Sequence, residues 1–208
     1  MKFLSYDGLL ARIVRHIWNL FLLNVCLILC CLPVVTAGAG ITAAYSVVLN
    51  SSLESGMIGR FFQAFRENWK QATAIWLVFL AAAVLLVLDW YFLLSYSFAG
   101  SAILIIVTAI LSLLYLSVVS YVFPLQARYE NSLKVTVKNA VVLGIFWIFS
   151  GLLMGFVTLF PLIMFFVNLD IFLRVLAVWI PLGCALQIQI NALIVQRVFR
   201  KVQPEEPA

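Results

Sequence analysis

The sequence predicts an all-α membrane protein, a helical bundle of about six transmembrane helices arranged as three hairpins, with amphipathic helices at the interface. Three observations predict it. The chain of 208 residues is 65% hydrophobic and only 10% charged, with a mean hydropathy of +1.14; soluble domains average about 25% charged residues. A soluble core of this size cannot hide so much apolar surface, so lipid is the solvent. Several apolar runs approach or exceed the ~20 residues that a bilayer requires. The 13 Lys and Arg fall in short segments between those runs, the pattern of cytoplasmic loops. The net charge of +5 comes without the aromatic–basic interleaving of RNA-binding modules. The expected partner is therefore the lipid bilayer, not nucleic acid.

Residues 3–16 read as an amphipathic surface helix, with Phe3, Leu4, Leu9, Leu10 and Ile13 toward lipid and Lys2, Arg12 and Arg15 toward headgroups. Span 1 follows, about 17–35, with Asn24 near its middle; a lone Asn there bonds across to another helix. This start also has the outline of a signal peptide, with Ala37-Gly38-Ala39 as the small-residue site. The run from Ile17 to Val35 exceeds the usual apolar core of about 7–15 residues, so it is read as a span. Pro33 and Gly38 then break the chain before a weaker run, span 2, about 38–53. Thr42, Ser46 and Asn50 recur there at helical spacing and form one polar stripe, which faces protein rather than lipid.

Residues 54–72 leave the membrane as an interfacial helix with Phe61, Phe65 and Trp69 on one face and Arg60, Arg66 and Lys70 beside them. Spans 3 and 4, about 73–94 and 99–123, make a hairpin through a short uncharged turn. Pro124 opens a second polar segment with Arg128, Lys134 and Lys138. Span 5, about 140–160, holds Gly151-x-x-x-Gly155, a spacing that permits close helix approach. Span 6, about 169–195, carries a kink at Pro181 and the polar residues Gln187, Gln189 and Asn191. Residues 1–200 are thus one integral membrane domain and 201–208 a short cytoplasmic tail.

With six crossings, the N-terminus, 54–72, 124–139 and the C-terminus share one side and hold every Lys and Arg except Arg174. That side is cytoplasmic by the positive-inside rule. A crossing span 1 followed by a non-crossing span 2 breaks this asymmetry. A pair of spans 1 and 2 that both dip in from the cytoplasm preserves it. The six-span arrangement with both termini inside is the expectation.

The two basic segments also echo each other. A shift of 68 residues places Arg60 on Arg128, Arg66 on Lys134, Lys70 on Lys138 and Ala72 on Ala140. This is the signature of a repeated unit, found in transporters and equally in duplications without a transport role.

No hydrolase elbow, P-loop, HExxH or dinucleotide fingerprint occurs. No catalytic residue, metal or cofactor is expected, and no enzyme activity. Cys26, Cys30, Cys31 and Cys184 lie inside apolar runs and read as small polarisable packing residues. His16 sits at headgroup level ahead of span 1. Asp89 reads either as an interfacial carboxylate or as an outer ligand or proton site. Trp90, Tyr91, Tyr96 and Phe98 suit a sugar platform and an aromatic belt equally. The candidate polar interior is Asn24, Thr42, Ser46, Asn50, Asp89, Gln187 and Asn191. The candidate cytoplasmic docking face is Arg60, Arg66, Trp69, Lys70, Arg128, Lys134 and Lys138.

The pieces LLN at 22–24, CCLPVVTAGAGITAAY at 30–45, FFQAFRENWKQATAIW at 61–76 and FPLQARYENSLKVTVKNA at 123–140 resemble the YesL family of bacterial membrane proteins, which carries a domain of unknown function. The resemblance implies a multi-pass protein of the bacterial plasma membrane. It also implies a link to carbohydrate uptake by ABC-type transporters, with an ABC permease as partner, because genes of this family often neighbour such transporters. It supplies no catalytic residues. The expectation is an accessory or regulatory component of such uptake; the alternative is a small-molecule transporter or channel acting on its own.

Overall fold

The computed structural model describes residues 9–50, 56–96 and 100–202. Eight α-helices follow one another: α1 Leu9–Cys31, α2 Ala37–Asn50, α3 Met57–Ser95, α4 Ser101–Arg128, α5 Leu133–Phe146, α6 Ile148–Val167, α7 Leu169–Val178 and α8 Cys184–Val202. A 3-10 turn, Val34–Thr36, leads into α2, and a π-helical turn, Trp179–Gly183, joins α7 to α8. No strand occurs among the described residues, so the all-α bundle that the composition predicts is the architecture found. Among the described residues, five helical stretches are long and apolar enough to cross a membrane: Leu10–Cys31, Met57–Ser95, Ser101–Arg128, Ile148–Val167 and Trp179–Val202. The remaining expected crossing is shorter, covering Val34–Asn50.

Several boundaries differ from expectation, each for a physical reason. The interfacial helix at 54–72 and span 3 are one uninterrupted helix of 39 residues, α3. No Gly or Pro falls between Gly59 and Ser95 to break it. Its start is set by Gly56, whose φ of 83° suits a residue without Cβ. Pro124 does not end α4; the helix runs on to Arg128. The lost hydrogen bond is tolerated where Phe123, Pro124 and Leu125 are all buried by neighbouring helices. Span 5 is divided at Trp147, whose φ of −117° and ψ of 40° separate α5 from α6. Pro181 does lie at an irregularity, inside the π-helical turn. Lys201 and Val202 belong to the last turn of α8 rather than to a tail. Phe3 and Leu4, the end of span 2 at Leu53, Phe98, the start of span 4 at Ala99, and tail residues 203–208 lie outside the described residues.

The short helix α2 is the packing centre. It touches α1, α3, α4 and α8, and Ala37 to Gly40 and Thr42 to Tyr45 are buried. Small side chains make this possible: a Cβ added at Gly38 would lie 2.7 Å from the Ala72 carbonyl oxygen and would overlap the Trp76 side chain. The prediction of an interior helix for this stretch is met. Helices α3 and α4 are antiparallel, tied at Asn68–Gln126 and again at Asp89–Thr108. Helices α1 and α8 are antiparallel too, since His16 meets Gln189 and Asn24 meets Ile180. Leu9 and Val202 therefore lie toward the same end, where the clustered cations also sit.

The α1–α2 turn stops well short of the other end. Trp76 Nε1 donates to the Val34 carbonyl at 2.7 Å, and α3 continues from Trp76 to Ser95, about 28 Å at 1.5 Å per residue. Beyond this turn the α3–α4 and α6–α7 hairpins stand with largely apolar exposed surfaces, including Leu85, Val87, Ile103, Ile106, Phe165 and Phe166. The turn itself is apolar and open, with Leu32 70%, Val34 60% and Val35 51% exposed. Internal bonds centred on Thr36 nevertheless brace its backbone. Thr36 Oγ1 donates to Cys30 O at 2.7 Å and Pro33 O at 3.1 Å, and Thr36 N donates to Pro33 O at 2.9 Å.

Candidate docking face and the placement of polar residues

The candidate interior residues are distributed over separate helix interfaces. Asn24, 0% exposed, donates from Nδ2 to Ile180 O at 2.7 Å and accepts at Oδ1 from Ala185 N at 2.9 Å. It clamps the π-helical turn to the start of α8, pairing backbone groups that the disrupted helix leaves available. Thr42 turns inward on its own helix, donating to Gly38 O at 2.8 Å. Ser46 is half-buried. Asn50 is exposed at the foot of α2 and reaches Ala127 O at 2.9 Å. Asp89 is exposed on α3 and accepts from Thr108 Oγ1 at 2.6 Å. Gln187 and Asn191 converge on one residue, Thr158. Gln187 Nε2 donates to the carbonyls of Val157 and Thr158, and Asn191 Nδ2 donates to Thr158 Oγ1 at 3.0 Å. Asn191 Oδ1 is buried without a hydrogen-bond partner. Most of these side chains thus suture one helix to another.

The packing reading of Gly151-x-x-x-Gly155 is likewise met. Both glycines let α6 lie against α4, where a Cβ at Gly151 would come within 3.0 Å of the Ser117 Cα. Of the outer aromatics, Trp90 donates to Ser112 Oγ at 3.0 Å, while Tyr91 and Tyr96 are exposed.

The basic end has a different construction. Arg66, Trp69, Lys70, Lys134 and Lys138 are exposed, and Arg60 and Arg128 are half-buried. Beneath them lies a joint that the sequence reading did not single out. Gln126, buried in α4, donates from Nε2 to Asn68 Oδ1 at 3.0 Å and accepts at Oε1 from Thr136 Oγ1 at 3.1 Å. One side chain so ties α3, α4 and α5 together. The 68-residue shift points to this joint, because Asn68 falls on Thr136 under it. The same echo is only partly structural. Residues 65–72 and 133–140 are helical in both copies, but Arg60 lies inside α3 whereas Arg128 closes α4 and is followed by four non-helical residues. A further bond, Gln71 Nε2 to Asn131 O at 2.8 Å, closes α3 onto that segment.

Next to the joint, a groove of about 330 Å³ opens between α4, α5 and α8, lined by Leu125, Tyr129, Asn131, Asn139, Leu143 and Phe199, among others. Cations border it through aromatic faces. Arg128 lies 5.6 Å from the Phe199 ring centroid and 6.0 Å from that of Tyr129, and Lys201 lies 5.1 Å from that of Trp147.

Residues 20–90 match a family model described as a protein of unknown function, DUF624. The matched stretch carries Asn24, the turn at 33–40, Asn50 and the α3 cations, and ends before α4. No curated protein and no solved structure matches the chain. Among the described residues no cluster of three or more His, Cys, Asp or Glu has the spacing to hold a metal ion.

Proposed function

We propose that this DUF624-containing membrane protein is an accessory or regulatory component of ABC-type carbohydrate uptake in the bacterial plasma membrane, docking a permease through its basic end. In this reading the basic end is cytoplasmic, with both termini on that side, and no catalytic step is assigned to the chain. The resemblance to the YesL family motivates the link to uptake. The observation that carries the docking assignment is the contrast between the two ends. At the basic end, exposed Arg66, Trp69, Lys70, Lys134 and Lys138 stand over a joint locked by Gln126. Elsewhere the polar side chains are mostly consumed in tying helices together, which gives the competing transporter reading little to line a path with.

Co-purification in mild detergent tests the proposal. The protein is expected to retain an ABC-type carbohydrate permease co-expressed with it, and R66E/K70E is expected to lose that retention while keeping its helical content. Sugar flux in proteoliposomes containing this protein alone would favour the transporter reading and overturn the accessory one.

A further inference from the structure

We propose that the groove between α4, α5 and α8 binds one anionic phospholipid, with its phosphate between Arg128 and Lys201 and an acyl chain laid along α5. The charge of the surroundings is the first argument. The segments bordering the groove, 124–139 and 197–202, carry Arg128, Lys134, Lys138, Arg197, Arg200 and Lys201 against the single acid Glu130. Arg128 and Lys201 are held over rings of Tyr129, Phe199 and Trp147. Such contacts orient a cation and leave its charge uncompensated. Arg128 is held on the two rings, Tyr129 and Phe199, that line the groove, and Lys201 follows from the α8 end between the lining residues Phe199 and Val202.

The lining supplies the second argument. Asn131 and Asn139 place two carboxamides on a wall that is otherwise apolar, with Leu125, Val142, Leu143 and Val202. Amides suit the ester and glycerol oxygens that lie just inside a headgroup. The volume, about 330 Å³, takes a headgroup and glycerol and leaves the acyl chains outside. An apolar path for those chains continues directly from the groove. Val142 both lines it and is exposed, and Val141, Ile145 and Phe146 extend the same exposed strip of α5. A free phosphate would use the cations and ignore this strip. Basic pockets between helices at the cytoplasmic boundary are a recognised form of anionic-lipid site.

The site shares Arg128 and Lys138 with the candidate docking face, and its test needs no partner protein. Native mass spectrometry of the purified full chain in mixed phosphatidylglycerol and phosphatidylcholine micelles tests it. Wild type should retain phosphatidylglycerol in preference to phosphatidylcholine. R128Q and K201Q should each weaken that preference about fivefold, the effect of roughly one surface cation. Equal retention of the two lipids by wild type, or an unchanged preference in R128Q/K201Q, overturns the proposal. Should R128Q disturb the end of α4, K138Q/K201Q replaces it under the same criterion. Inorganic phosphate and V142N separate the two sources of anion. Weaker lipid retention in V142N, with little competition from phosphate, supports a lipid. Full displacement by millimolar phosphate with V142N unaffected identifies a phosphate site and overturns the lipid assignment.

Discussion

At the scale of single residues, polar side chains in this protein do structural work that the sequence only partly announces. Asn24 was legible as a helix-to-helix bond because a lone amide in an apolar run has few other uses. Its partners were not, since nothing in the sequence marks a π-helical turn at Trp179–Gly183 that leaves Ile180 O and Ala185 N to be paired. N24L should lower stability by about 1–2 kcal/mol by orphaning a carbonyl and an amide in an apolar interior. Thermal unfolding in detergent measures this as a reduced Tm with helical content retained. Gln126 was missed because it sits beside Pro124, in a segment that reads as a polar loop. There Q126L should lose about 1–3 kcal/mol by stranding Asn68 and Thr136. A double-mutant cycle between Asn68 and Gln126 should return a favourable coupling of about 0.5–1.5 kcal/mol; a zero coupling refutes the joint. The Thr42–Ser46–Asn50 stripe shows the limit of periodicity. Its spacing put the three on one helix face, yet Thr42 is buried, Ser46 half-buried and Asn50 exposed, because α2 leaves its neighbours toward its foot.

At the scale of elements, apolar runs announced the long helices, whereas their ends were decided by packing. Helix α3 absorbs its interfacial start because no breaker interrupts it, and α4 absorbs Pro124 because its neighbours enclose that turn. The turn at Pro33 was legible from its proline and glycines; its depth was not. Level with Trp76, apolar, and with its backbone paired by Thr36 and by Trp76 itself, it has the chemistry of a turn held in hydrocarbon, where backbone groups must find partners within the protein. A thiol at Val34, in a variant lacking the four native cysteines, should resist membrane-impermeant maleimide applied to the face opposite the basic end, while one at Gly100 reacts. Equal reactivity at both positions would restore a full crossing by α2. Close approach at α4–α6 gives a second test at this scale. G151V should destabilise the bundle by roughly 1–3 kcal/mol through overpacking against Ser117, seen as a lower Tm or loss of a monodisperse species.

At the scale of the whole molecule, the charge asymmetry was the most informative feature of the sequence and the structure organises around it. The cation-bearing segments that run on into α3, α4, α5 and α8 converge on one end, toward which most of the buried residues of α4 also lie. The other end is two hairpins with largely apolar exposed surfaces. Composition could foresee a bundle and a sided charge distribution, but not that a helix of only 14 residues would be its centre, because small residues such as Ala39, Ala43 and Ala44 score weakly as hydrophobes while packing best. The Asn24 clamp has a consequence in time. Its two partners lie 156 and 161 positions further along the chain. A ribosome adding about 5–20 residues per second delivers them roughly 10–30 s after α1 has emerged. For that interval the newborn protein carries a polar hook in oil with nothing to catch, and its survival depends on whatever insertion machinery shelters it until the last helix arrives.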